Sequence, residues 1–317
     1  MQSLIGVDVG GTLLRAARFD QNLTMLERIE QPTEAHRGSE VVIDRLVETI
    51  RQALPESPEE LDGIGIVLPG PLDPENGILI APPNLHIKDY PIAQQMTEMV
   101  GGPVFIGNDA DLAGLAEYTL GAGKGYRSMV YITISTGIGG GVILNGKLQT
   151  GRGQGGEFGH MVVDPDGPLC GCGRYGHLES VASGTGIANI ARQRLSDGEQ
   201  SMLHDIVEGD LSRISAKVVS EAAKQGDALA LEIITNAGRY LGVNIASVMM
   251  LLNPDVFVIG GGLTKIGDLL FDPMHEAIRK YTMHPRYWEN TPVVTAQLGA
   301  DVGLVGAAAL VRMKLEQ

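Results

Sequence analysis

Cysteine is almost absent from this chain of 317 residues: Cys170 and Cys172 are the two it has, with one residue between them. Neighbours that close rarely join in a disulfide, so a disulfide-stapled scaffold is excluded. In a reducing compartment such a pair reads instead as a metal or redox site. Aromatic residues are scarce at 4%, whereas glycine reaches 43. That balance suits an α/β protein with many tight strand-to-helix turns more than a β-sandwich. Cations are outnumbered, 24 Lys and Arg against 38 Asp and Glu, for a net charge of -14. A surface for nucleic acid or anionic membrane is therefore disfavoured, and a polyanionic ligand would need local devices: backbone N–H groups, helix N-termini or a divalent cation. No apolar run approaches about 18 residues, and the opening MQSLIGVDVGG has no basic n-region. The expectation is a cytoplasmic protein without a membrane partner. What is plentiful is core material: 44% hydrophobic residues in a length that allows two lobes.

Apolar patterning predicts a first strand over Leu4 to Asp8, a glycine turn, and a return over Leu14 to Phe19, which is a hairpin rather than a βαβ start. Glu40 to Leu54 has helical spacing, Ile64 to Leu68 and Val104 to Ile106 read as buried strands, and Asp109 to Leu120 reads as a helix. A second succession begins with a strand at Met129 to Ser135, turns through Thr136 to Gly141, and returns over Val142 to Leu148, echoing the first. Glu157 to Glu179 is irregular and too long for an ordinary connection unless something staples it. A long apolar helix over Ala228 to Leu252, a strand over Val256 to Ile259, the run Gly260-Gly261-Gly262 with a helix after it, and a closing helix over Asp301 to Leu315 complete the pattern. The expected division is a small lobe of residues 1–120 completed by the helix at 301–317, and a large lobe of residues 121–300, with hinges near Gly121 to Lys124 and near Gly299.

Three glycine turns follow buried strands. Asp8-Val9-Gly10-Gly11-Thr12 places N–H groups and a hydroxyl around a small concavity that fits phosphate, with Asp8 able to hold Mg²⁺; the bland alternative is a hairpin turn. The glycines of the second turn lack the following helix that a dinucleotide fingerprint needs, so a Rossmann reading is rejected. Gly260 to Gly262 offers flat backbone under an adenine or ribose, or else a plain helix entry. At the Asn108-Asp109 junction, Asp109 is either a helix cap or a carboxylate at a strand end, where functional crevices form.

Taken together, Asp8 to Thr12, Ile132 to Gly141 and Glu157 to Glu179 resemble the ROK family of bacterial sugar kinases and repressors, within the actin-like ATPase superfamily, across nearly the whole chain. The resemblance implies a two-lobed α/β, ribonuclease H-like fold with the active site in the interlobe cleft. It implies ATP with Mg²⁺ held by Asp8, Gly10, Gly11, Thr12, Thr136, Gly137, Gly260, Gly261 and Gly262, and Asp109 as general base. A hexose would meet Gly70, Asn84, Asn108, Asp109, Glu179 and the Glu157 and His160 of a Glu-x-Gly-His element. The family's Cys-x-Cys-Gly-x-x-Gly-Cys appears here with His177 in place of the third cysteine, so His160, Cys170, Cys172 and His177 would form a Cys₂His₂ structural zinc site. Homodimers or homotetramers are implied too.

Glucose is the leading substrate by this resemblance, with an N-acylmannosamine or fructose kinase as the alternative and a non-catalytic sugar sensor behind them. ATP is the default donor, with polyphosphate also open. A repressor would need a winged helix-turn-helix ahead of Asp8, where seven residues stand.

Overall fold

The computed structural model describes residues 2–81 and 88–316. Its strands are β1 (Ser3–Val9), β2 (Leu13–Phe19), β3 (Met25–Pro32), β4 (Leu61–Leu68), β5 (Leu72–Asp73), β6 (Ile78–Leu79), β7 (Val104–Asn108), β8 (Met129–Ile134), β9 (Ile138–Leu144), β10 (Lys147–Leu148), β11 (Val256–Gly260) and β12 (Val293–Thr295). The chain divides into two compact units: Met1–Arg127, Gly141–Gly156 and Gln297–Gln317 in unit 1, Ser128–Gly140 and Glu157–Ala296 in unit 2.

One sheet runs β3-β2-β1-β4-β7, with β1, β2 and β3 antiparallel and β1, β4 and β7 parallel. Alternation along β1 and β2 sends Ile5, Val7, Leu14 and Ala16 to one face, against the helix Ser39–Ala53, and Leu4, Ala17 and Phe19 to the other, against the helices Asp109–Thr119 and Val302–Leu315. Strand β4 is covered on both faces, which is why Ile64 to Leu68 reads as a continuous apolar run. Each of these fully buried side chains contributes about 1.5–3 kcal/mol. The helix Val302–Leu315 lies directly on the sheet because Gly6 and Gly65 have no side chain: a Cβ there would stand 2.2 Å from the Leu304 carbonyl oxygen and 2.0 Å from that of Ala307.

The second sheet, β10-β9-β8-β11-β12, repeats the strand order of the first, with β8, β11 and β12 parallel. The predicted turn over Thr136 to Gly141 is shorter than expected: β9 starts at Ile138, and Gly139, Gly140 and Gly141 are strand. Gly140 serves packing. A Cβ on Gly140 would lie 2.2 Å from a ring carbon of Phe158. After Gly260 to Gly262 the chain makes a 3₁₀ turn over Gly262–Ile266 before the helix Asp268–Tyr281 begins, so the expected helix is delayed by five residues. No helix among the described residues is long and apolar enough to cross a membrane.

Candidate functional site

In unit 1, β1 delivers Asp8 to the first glycine turn. That turn is closed by the Gly10 N–H donating to the Leu13 carbonyl at 2.9 Å, and is pinned from outside by the Thr33 hydroxyl donating to the Gly10 carbonyl at 2.6 Å. Gly11 has open space where a Cβ would point, so a ligand can approach its backbone. The Asp8 carboxylate is paired with the Arg15 guanidinium, which also donates to the Ala300 carbonyl at 2.9 Å. Arg15 was missed by motif reading. Its signal was a cation within a largely apolar returning strand, directly opposite Asp8 in the register of β1 and β2.

Strand β7 ends at Asn108, and the helix begins at Asp109. Asn108 is the cap: its side-chain oxygen accepts from the Ala110 N–H at 2.9 Å, and the Asp109 carboxylate accepts from the same group at 2.8 Å. Asp109 is exposed at its surface yet ringed closely by protein, and that desolvation pushes its carboxyl above the ordinary value. The negative charge of Asp8 adds to the push, while the Ala110 N–H pulls the other way. Gly70 lies against this pair, with its Cβ position 3.1 Å from the Asn108 amide nitrogen. Asn84, with Pro83 and Leu85, lies outside the described residues.

In unit 2, the second turn carries Thr136 and Gly137 between β8 and β9. The Glu179 carboxylate accepts from the Ile138 N–H at 2.9 Å just beyond it. Thr136 and Gly262 border one cavity of about 750 Å³, whose wall also includes Ser215, Lys217 and Lys265. Gly260 and Gly261 instead pack inward, their Cβ positions 2.3 Å from the Tyr131 hydroxyl and 2.3 Å from the Ile134 carbonyl oxygen. Lys217 sits in a stretch with no glycine motif, and Lys265 lies three residues past the third glycine run, so motif reading passed over both.

The irregular segment is ordered by its own backbone: the Leu178 N–H donates to the Met161 carbonyl at 2.9 Å, and the Val163 N–H to that of Gly176 at 2.9 Å. These bonds gather the ligand atoms of His160, Cys170, Cys172 and His177 within 4.8 Å of one another. The two Nδ1 atoms are 3.3 Å apart, Cys172 Sγ is 3.3 Å from His177 Nδ1, and Cys170 Sγ is 3.8 Å from His160 Nδ1. A tetrahedral zinc with about 2.0 Å bonds to nitrogen and about 2.3 Å to sulfur requires edges of roughly 3.3 to 3.8 Å. The donor set fits that ion, and the three distances above lie within its range of edges. Burial pushes the Cys170 thiol up, so metal binding there must displace a proton. His160 turns its other nitrogen, Nε2, toward Glu157 at 3.9 Å, and the Glu157 side chain is exposed.

Two sheets of one strand order, each with a glycine turn after its first strand and a third turn after β11, define the actin-like ATPase class of fold. Within that class the chain belongs to the ROK family, whose family model matches residues 4–314. It is 37% identical over 314 residues to the glucokinase of Thermotoga maritima, covering 98% of each chain. Among solved structures, the ROK hexokinase of Thermus thermophilus is 35% identical with a TM-score of 0.85, covering 99% of both chains. A ROK family glucokinase from Streptomyces griseus, in complex with glucose and AMPPNP, is 34% identical with a TM-score of 0.77, covering 98% of this chain and 99% of that one.

Proposed function

We propose that this chain is an ATP-dependent hexose kinase that forms glucose 6-phosphate. The observation that carries the reading is the setting of Asp109 in unit 1: a desolvated carboxyl at a helix start, close enough to Asp8 to feel its charge, with Asp8 at the head of a phosphate-sized turn. A sugar hydroxyl is a poor nucleophile, and a carboxylate of raised pKa is a better proton acceptor than an ordinary one. Asp109 takes the hydroxyl proton as the phosphoryl group moves. Backbone N–H groups of Gly10 to Thr12 and of Thr136 and Gly137 receive the phosphates, and the cavity beside Gly262 takes the nucleoside. Asp8, held in place by Arg15, would bind Mg²⁺ together with substrate oxygens, a donor set that suits the ion, and the ion would supply charge neutralisation. Asn108, Gly70, Glu157, His160 and Glu179, with Asn84, bind the hexose. His160, Cys170, Cys172 and His177 would hold zinc, which would add to the backbone bonds that order the segment carrying Glu157 and Glu179. The glucokinase relatives support glucose as the acceptor.

The test is a coupled ADP-release assay over glucose, mannose, fructose and N-acetylmannosamine, with ATP as donor. Glucose is expected to give the highest kcat/KM. No ADP release with any hexose would overturn the kinase reading, and a preference for N-acetylmannosamine would overturn the glucose assignment.

A further inference from the structure

Glu117 is fully buried, eight residues after Asp109 on the same helix, about 12 Å along its axis. No step proposed above uses it. A buried carboxylate is costly unless its oxygens are met by donors, and here they are met by three backbone N–H groups. One oxygen accepts from Gln297 at 2.9 Å and from Leu298 at 2.8 Å; the other accepts from Ala122 at 2.8 Å. The main chain joins in, since the Gly121 and Gly123 N–H groups both donate to the Glu117 carbonyl, at 3.0 and 2.9 Å. Gly121 is the residue this clasp requires: a Cβ there would stand 2.0 Å from the Glu117 carboxylate.

The location gives the contact its meaning. The chain first leaves unit 1 after Arg127 and makes its last return at Gln297, with residues 141–156 belonging to unit 1 in between. Ala122 belongs to the segment that leads into the first crossing, and Gln297 and Leu298 are where the last arrives. We infer that Glu117 is a positioning residue, a clasp that fixes the first and the last of the chain's crossings to the helix that carries Asp109, so that the base and these two connections move as one body. The consequence for catalysis rests on the kinase reading. If the clasp loosens, the helix and the crossings shift independently, and water competes with the sugar hydroxyl for the transferred group.

Glu117→Gln separates the two halves of the clasp. The amide keeps one oxygen for Gln297 and Leu298 but turns an NH₂ toward the Ala122 N–H, donor against donor. Hydrogen exchange on the full chain is expected to be about ten- to a hundred-fold faster at Ala122 in the variant, with smaller changes at Gln297 and Leu298. The ratio of sugar-free ATP hydrolysis to phosphoryl transfer onto glucose is expected to rise at least about ten-fold. That ratio does not depend on how much of the sample is folded. Wild-type exchange at Ala122 in a folded variant, or hydrolysis and transfer falling in the same proportion, overturns the inference. If Glu117→Gln is insoluble, Glu117→Asp, which keeps the charge and shortens the reach, is put through the same two assays with the same criteria. Should the wild type transfer phosphoryl to no hexose, the functional reading falls while the exchange measurement still decides whether Glu117 clasps the crossings.

Discussion

Glu179 and Ile138 are joined by a hydrogen bond of 2.9 Å from the Ile138 N–H to one carboxylate oxygen, while the other oxygen lies 3.9 Å from the sulfur of Cys170. One side chain therefore touches both the second glycine turn and the cluster of His160, Cys170, Cys172 and His177. Glu179→Ala is expected to raise KM for ATP as well as for sugar, because the turn loses the acceptor that holds the Ile138 N–H. Leaving a buried donor unpaired costs about 1–3 kcal/mol, or roughly ten- to a hundred-fold in affinity. Two-substrate kinetics would show it. A rise confined to the sugar KM would reduce Glu179 to a sugar contact alone.

How much of this was legible in the sequence depended on what each glycine was for. Gly10 and Gly11 turn the chain between two apolar strands, a pattern local enough to read. Gly140 was misread as turn because its reason lies elsewhere: it makes room for Phe158, eighteen residues on, and nothing in the neighbouring sequence reports that contact. The Ala228–Leu252 helix was found with its bounds because apolar periodicity and the Asp227 cap are both local signals. Strand β3 was not assigned, since its exposed residues Leu26, Glu27 and Arg28 carry no apolar alternation. At the site, the donors of the metal cluster were readable from their spacing. The Asp8–Arg15 pair and the three donors around Glu117 come from the fold, and no motif spacing encodes them.

The cluster of His160, Cys170, Cys172 and His177 is expected to carry one zinc per chain. Metal analysis of freshly prepared protein checks this directly. Cys172→Ser should lower zinc occupancy and destabilise the 157–179 segment, seen as faster proteolysis there, because a serine oxygen is a far poorer zinc ligand than a thiolate. Strong chelators should reproduce the effect in wild type and leave the variant little changed. Full activity in metal-free protein would show that the backbone bonds of the segment suffice.

Asp109 should trade stability for activity. Its carboxyl pKa is raised in the folded protein by desolvation and by Asp8, so the folded state favours the protonated form. The associated stability is present below the unfolded-state pKa and is lost as pH rises through the folded-state value; at neutral pH the ionised carboxylate is a burden on the fold. Asp109→Asn is therefore expected to raise Tm at pH 7, with the gain vanishing toward acid, while kcat drops about 10²- to 10⁴-fold. The acid limb of the wild-type rate profile should lie above the usual aspartate range, since the base works only when ionised. Activity within a few-fold of wild type in the variant would leave Asp109 as a second acceptor at the helix start.

Glu157 is expected to set the preference for glucose over N-acetylmannosamine. Its carboxylate is exposed, 3.9 Å from the His160 nitrogen that faces away from the metal cluster, so a bound hexose would be met by an acceptor and an imidazole fixed from behind. A carboxylate accepts hydrogen bonds from ring hydroxyls in a geometry that reports their positions. An acetamido group in place of one hydroxyl removes a donor, adds bulk and leaves the carboxylate underpaired once the bound sugar covers it, at a cost of about 1–3 kcal/mol. That is roughly ten- to a hundred-fold in kcat/KM at about 1.4 kcal/mol per decade. Glu157→Gln replaces one acceptor with a donor, so it should cut glucose turnover more than turnover of the acetylated sugar, and the ratio of the two kcat/KM values should fall toward one. A ratio that stays fixed on substitution would place the discrimination elsewhere in the sugar site, and a wild type that already favours N-acetylmannosamine would reverse the role given to Glu157.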